Sequence, residues 1–198
     1  MIINLRSDFE DAFLSAKKAL KAGKLIIYPT DTVYGIGCDA TNNEAVGKVY
    51  EAKGRGEDSP LSVVMADLKM IGEYCEVRQV DEVYMHEHLP GPYTFILKCK
   101  EGKELPVSRN GKIGVRVPDH FFCITLSRQL KVPIVSTSAN LSGKPPPTCV
   151  EEIDKKIADA VSLILDGGKC KHSKPSTVVD LVESKILRAG AEGGRNPF

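Results

Sequence analysis

Tryptophan is absent from this chain, and so are a Cys-x-x-Cys pair, an excess of either charge and any glycine-rich nucleotide fingerprint. No apolar run approaches the ~18 residues of a membrane-crossing helix, and charged residues interrupt the first ten positions, so neither a membrane span nor a secretory leader is expected. A cytoplasmic protein is the expectation. The formal net charge of +1 gives no general attraction to nucleic acid or membranes. The six cysteines, at 38, 75, 99, 123, 149 and 170, mostly sit in or beside apolar segments and read as reduced and mostly buried. Cys170-x-His172 and His86-x-His88 each offer two metal ligands without the second pair a zinc site needs, so no protein-built metal site is expected. Neither Gly-x-Gly-x-x-Gly nor Gly-x-x-x-x-Gly-Lys-Ser/Thr occurs, so a nucleotide would have to be held in some other way. None of the four histidines stands in a Ser/His or Cys/His setting, although His120 lies just after a motif, and no carboxylate pair suggests acid-base work.

What is present is the composition of an ordinary globular protein: 198 residues, 42% hydrophobic and 27% charged, without internal repeat or linker. Charge is unevenly placed, because residues 67 to 88 carry six acids against two bases and residues 98 to 116 carry six bases against two acids. One face can therefore be basic in a neutral chain. A capping box at Ser7 to Glu10 predicts a helix that Gly23 stops. Leu25 to Tyr28 reads as a buried strand, and a second capping box, Thr41 to Glu44, opens a helix that Gly54 terminates. Strands are predicted at 61–65, 93–98, 113–117, 132–135, 161–166, 177–182 and 186–188, and helices at 67–75, 79–89 and from Asp119 to Leu130. Thr148 to Glu151 is read as a third capping box, and residues 191 to 198 as a short tail of a single domain spanning 1–198. Intermixed helices and strands predict an α/β (mixed α+β) fold with a twisted sheet, parallel and antiparallel strands together.

The chemistry gathers at strand ends. Pro29 to Gly37 packs Thr30, Asp31, Thr32 and Tyr34 between a strand and two glycines, where α/β proteins tend to place their sites. Lys53 ends a helix and Arg55 leaves it between two glycines, an arrangement that suits an approaching anion. Ser136, Thr137, Ser138, Asn140 and Ser142 crowd hydroxyl and amide groups into seven residues after a buried strand. Ser176, Thr177 and Arg116 add the same chemistry, which is that of anion binding and positioning.

These segments, in order, resemble the YrdC family of L-threonylcarbamoyladenylate synthases across nearly the whole chain. The resemblance rests on Pro29-Thr-Asp-Thr-Val-Tyr-Gly35, Glu51-Ala-Lys-Gly-Arg55, Pro60-Leu61, Leu89-Pro-Gly-Pro-Tyr-Thr94, Gly114-Val-Arg-Val-Pro118, Ser136-Thr-Ser-Ala-Asn-Leu-Ser-Gly143 and Ser176-Thr-Val-Val-Asp180. The family's Lys-x-Arg and Ser-x-Asn signature is intact as Lys53/Arg55 and Ser138/Asn140. Gly56 stands where many members have proline, and Val64 lies near a position where some carry a histidine. The resemblance implies a concave, basic sheet face that holds L-threonine, bicarbonate or CO2, and ATP with Mg²⁺, yielding threonylcarbamoyl-AMP and pyrophosphate for a downstream tRNA threonylcarbamoyl transferase. It places Thr30, Arg116, Ser136 and Ser176 on threonine, and Lys53, Arg55, Ser138, Asn140 and Arg188 around the phosphates, with Lys53 and Arg55 as the catalytic pair. The rival from another class is a domain that binds tRNA or double-stranded RNA on the same face without catalysis.

Overall fold

A computed structural model describes residues 1–191, so nearly all of the expected tail lies outside the described residues. Ten strands form a mixed sheet: β1 (Ile2–Asn4), β2 (Ile26–Tyr28), β3 (Gly35–Gly37), β4 (Ser62–Val64), β5 (Tyr93–Lys98), β6 (Lys112–Arg116), β7 (Ile134–Ser138), β8 (Leu163–Asp166), β9 (Thr177–Asp180) and β10 (Lys185–Arg188). Their spatial order is β1-β8-β2-β3-β7-β4-β6-β5-β9-β10. Four parallel pairs (β1/β8, β2/β8, β4/β6, β5/β9) stand among five antiparallel ones, as the mixture of long crossovers and short connections requires.

Because successive strand residues face opposite ways, the sheet feeds two separate cores. Ile27, Ile36, Val63, Phe95, Val115, Val135 and Val179 pack on one face, with Val46 and Val49 of α2 (Asn43–Lys53), Ile71 of α3 (Leu68–Tyr74), Met85 of α4 (Gln79–His88) and Ile157 of α6 (Lys155–Asp159). Ile26, Tyr28, Val64, Ile134, Leu163 and Leu165 serve the other face, where Ala12, Ala16 and Leu20 of α1 (Phe9–Lys21) and Phe122, Cys123 and Leu126 of α5 (Phe121–Leu130) cover them. All six cysteines are free, and five are buried. Among the described residues no helix is long and apolar enough to cross a membrane.

The capping boxes are realised differently from the sequence expectation. Asp8, not Ser7, stands at the start of α1 without a side-chain cap bond, because Ser7 Oγ is spent on Asp8 Oδ2 at 2.5 Å. Asn42 caps α2 through Ala45 N–H, while Thr41 turns back to Asp39. His120 precedes α5, and Asp119 pairs with Lys171 instead. Thr148 binds Glu152 rather than Glu151, and only a 3-10 turn (Val150–Glu152) follows. In each case a nearby polar group outcompetes the expected partner. Gly54 does end α2, in the left-handed region at φ 58°.

Strand β3 lies between β2 and β7, and Gly37 is there for space. A Cβ on Gly37 would stand 2.0 Å from the Val135 carbonyl oxygen, a contact only a backbone shift relieves. Gly37→Ala is therefore expected to cost about 3 kcal/mol and to lower the melting temperature by roughly 6–12 °C. Thermal denaturation by circular dichroism checks this, and an unchanged midpoint would contradict the β3–β7 approach.

Candidate active site

The two helices on the second face cover the β1–β8–β2 side, and beyond them the strands lie bare. The bare part is a cleft of about 680 Å³. Its floor is the set of positions that alternate with the core residues: Gly35 on β3, Ser62 on β4, Thr94 and Ile96 on β5, Gly114 and Arg116 on β6, Ser136 and Ser138 on β7, Ser176 just before β9, and Val178 on β9. Short side chains line it because no helix packs there to demand bulk. Six cationic side chains face two carboxylates in the lining, so the concave face is basic although the chain is nearly neutral.

Eight of the nine residues singled out by sequence line this one cleft: Thr30, Arg55, Arg116, Ser136, Ser138, Asn140, Ser176 and Arg188. The ninth, Lys53, lies behind the wall. It is buried, and its Nζ donates to the carbonyl oxygens of Ser138 and of Asn140, the latter at 2.8 Å. Its own carbonyl accepts from Ser142 N–H at 3.1 Å. Lys53 therefore holds the loop that carries Ser138 and Asn140. Burial, with Arg55 adding repulsion, pulls its pKa down to about 8, and the oxygens around Nζ favour the ammonium form at neutral pH.

Arg55 lines the cleft, and among the described residues it has no hydrogen-bond or ion-pair partner. Its loop is anchored by Arg109, which the sequence reading passed over. Arg109 donates to Glu57 O through Nε at 2.9 Å and to the Tyr50 hydroxyl at 3.0 Å, with its guanidinium 5.7 Å from the Tyr50 ring centre.

Opposite this end, Arg116 is buried and bound to Asp31 Oδ1 at 2.6 Å and to Thr32 Oγ1 at 3.1 Å. Thr30 Oγ1 donates to Val33 O at 2.7 Å and accepts from Thr32 and Val33 N–H, so it shapes the turn that presents Thr32. Ser176 Oγ lies 2.8 Å from Thr94 Oγ1, while Arg188 donates to Ser176 O at 2.8 Å and to Ser176 Oγ at 3.2 Å. Desolvation, reinforced by the neighbouring Arg116, lowers the pKa of Arg188. Ser62 also lines the cleft and was not singled out, while Thr32 and Thr94, which line it too, had been named only within their segments and given no role. Strand alternation would have found Ser62 and Thr94, since Val63 and Phe95 between them are core.

Val64 is buried in the second core and does not line the cleft. His120 is likewise outside the lining; its Nδ1 is buried without a partner among the described residues, and burial lowers its pKa against the pull of Asp31 and Asp119. Among the described residues no group of three or more His, Cys, Asp or Glu side chains is placed to hold a metal ion.

A family model for Sua5/YciO/YrdC domains, described as "telomere recombination", matches residues 18–190 and so takes in every residue of the cleft. The chain belongs to the Sua5/YciO/YrdC family. Among the curated relatives of this family, a putative threonylcarbamoyl-AMP synthase of Methanocaldococcus jannaschii is 43% identical over 172 residues, covering 86% of this chain and 81% of its own. The threonylcarbamoyl-AMP synthase of Vibrio campbellii is 36% identical over 182 residues, covering 90% of this chain and 98% of its own. The Pyrococcus abyssi Sua5 structure complexed with L-threonine superposes with a TM-score of 0.86 at 32% identity, over 96% of this chain and 57% of that one. Sua5/YciO/YrdC architecture thus accounts for the mixed sheet with flanking helices.

The burial of Lys53 has a pH signature. Folding lowers its pKa from the ordinary 10.5 to about 8, so between these values the unfolded chain binds the extra proton. Wild type should therefore gain stability relative to Lys53→Met as pH rises from 8 to 10.5, with parallel behaviour below pH 8. Urea denaturation of both proteins at a series of pH values reads this directly, and a constant offset across the whole range would refute it.

Proposed function

We propose that this chain is a threonylcarbamoyl-AMP synthase, joining L-threonine, bicarbonate and ATP into threonylcarbamoyl-AMP and pyrophosphate. The observation that carries the reading is one basic cleft in which strand-borne hydroxyls and Arg116 face the free cation of Arg55. Relatives that bear the synthase name over most of their length support it. The Pyrococcus abyssi structure with L-threonine supports an amino acid in the same fold.

Arg116, with Ser136, Ser176 and the Thr30 turn, forms the threonine end of the cleft. A guanidinium can grip the α-carboxylate through two parallel N–H donors, while hydroxyls take the polar side chain. At the other end Arg55, Ser138 and Asn140 serve the triphosphate, and Lys53 supports them by fixing the Ser138–Asn140 loop, while Arg188, held on Ser176 beside Arg116, would meet the phosphates from the threonine end. Threonine amine and bicarbonate condense to a carbamate with loss of water. A carbamate oxygen then attacks the α-phosphorus, the bond to the β-phosphate oxygen breaks, and pyrophosphate leaves. The demands on the protein are alignment and neutralisation of charge, which is what fixed cations and oriented hydroxyls supply.

Mg²⁺ belongs with ATP in this reading. The lining offers hydroxyls and two carboxylates, Asp58 and Asp180, and Asp180 already accepts from Val182 and Glu183 N–H, so phosphates and water would supply most of the ligands. The product, in a cytoplasmic setting, would pass to a transferase that modifies tRNA. The net charge of +1 gives the protein itself little drive toward RNA.

Purified protein with ATP, Mg²⁺, L-threonine and bicarbonate should give the adenylate by mass spectrometry, and omission of any one component should abolish it. Adenylate that forms without bicarbonate, or none under complete conditions, would overturn the reading. Arg55→Ala should fold as wild type by circular dichroism yet lose about 10²–10³-fold in turnover, the usual scale for removing a charge-stabilising donor. Wild-type turnover in that variant would remove Arg55 from the site.

A further inference from the structure

Asp31 is not part of the cleft lining, yet it is where the threonine end is organised. It is 1% exposed, and its Oδ1 lies 2.6 Å from Nη2 of Arg116, a residue 85 positions away in sequence. We propose that Asp31 is a positioning residue for the proposed reaction, fixing the Arg116 guanidinium so that its unused donors face a substrate carboxylate. The inference rests on Arg116 as the threonine-carboxylate group.

The geometry of the pair favours presentation over sequestration. A carboxylate that grips arginine with both oxygens consumes a full edge of the fork. Here only Oδ1 touches the guanidinium, because Oδ2 accepts from the Asp119 N–H at 3.2 Å. Nη1 donates to Thr32 Oγ1 at 3.1 Å. Of the five guanidinium hydrogens, those on Nε and one on each terminal nitrogen remain, and Nε is buried with no partner in the described structure. Nε is closed off from the cleft, so a substrate carboxylate would meet the remaining hydrogens of Nη1 and Nη2, on a residue that lines it.

Asp31 is itself held from several sides. Its main-chain oxygen accepts from His172 N–H at 2.9 Å, and the turn around it is closed by Thr30 Oγ1. The carboxylate also answers an electrostatic need, since Arg116 lies close enough to Arg188 to add to the lowering of the Arg188 pKa. A buried ion pair adds little net stability over an apolar pair of the same size, so stability alone does not account for these residue types.

The test is calorimetric titration of L-threonine into the full-length wild type, Asp31→Asn, Arg116→Met and the double variant. Asp31→Asn is expected to weaken threonine by about tenfold or more, the scale on which misplacing a positioned group acts. The double variant should bind no more weakly than Arg116→Met alone, a non-additivity that a merely structural role would not produce. Undiminished binding by Asp31→Asn, or additive losses in the double variant, with Arg116→Met weakened, overturns the proposal and leaves the Arg116 reading standing. Wild-type binding by Arg116→Met overturns both. Should Asp31→Asn fail to fold, Asp31→Glu keeps the charge while displacing the oxygens, and wild-type affinity in that variant would sink the proposal.

Discussion

The uncovered half of one sheet face is the constraint from which the rest follows. A ten-stranded sheet presents two faces, and α2, α3, α4 and α6 serve one of them. Only α1 and α5 are available for the other, where they bury Ile26, Tyr28, Val64 and Leu163. The strands beyond them keep most of their apolar residues on the opposite face and turn Ser62, Thr94, Gly114, Arg116 and Ser136 toward the open side. Hydrophobic burial thus dictates where the polar residues gather. Glycine and serine keep the floor deep, as at Gly114, where an added Cβ would crowd Ser62 Cβ at 3.3 Å.

Two buried cations flank this floor, and the protein satisfies them by opposite means. Lys53 is surrounded by neutral carbonyl oxygens and keeps its positive charge while binding a loop in place. Arg116 meets a carboxylate, so the pair Arg116–Asp31 is neutral and its remaining donors stay directional. The first arrangement preserves net charge near the Ser138–Asn140 loop, and the second preserves orientation with little net field. A triphosphate calls for the former and a single carboxylate for the latter.

Much of this was legible in sequence where local pattern and tertiary demand agree. Tyr93–Lys98 was read to the residue, because its aromatic and β-branched run has no helical competitor. Gly35-Ile-Gly37 escaped notice as a strand, since two glycines carry little strand preference and the reason for Gly37 is the Val135 carbonyl on the neighbouring strand. Ser136 to Ser138 was placed in a turn after a strand and instead completes β7, where paired partners on both sides hold it extended. Sequence brought Lys53 and Ser138 to one neighbourhood, but not the depth at which Lys53 lies, because a lysine at a helix end looks the same whether it faces solvent or a ring of carbonyls. Asp31 was seen as one polar residue in a turn, and its partner could not be read from local pattern because the contact spans 85 positions.

The near-neutral total charge acquires meaning from this arrangement. The acid-rich stretch from 67 to 88 contributes α3 and α4, which pack on the apolar core face, whereas the cleft is lined by six cationic side chains, of which Arg116 is neutralised by Asp31 and Lys112 is paired with Glu183. A concave, low-dielectric floor concentrates the field of those cations where a small polyanion fits, while the acids on the opposite face cancel it at distance. Such a molecule attracts a nucleotide into the cleft without a general affinity for long polyanions, whose many phosphates would need an extended basic surface. Selectivity for a small charged substrate therefore comes from the same half-covered sheet that leaves the cleft open.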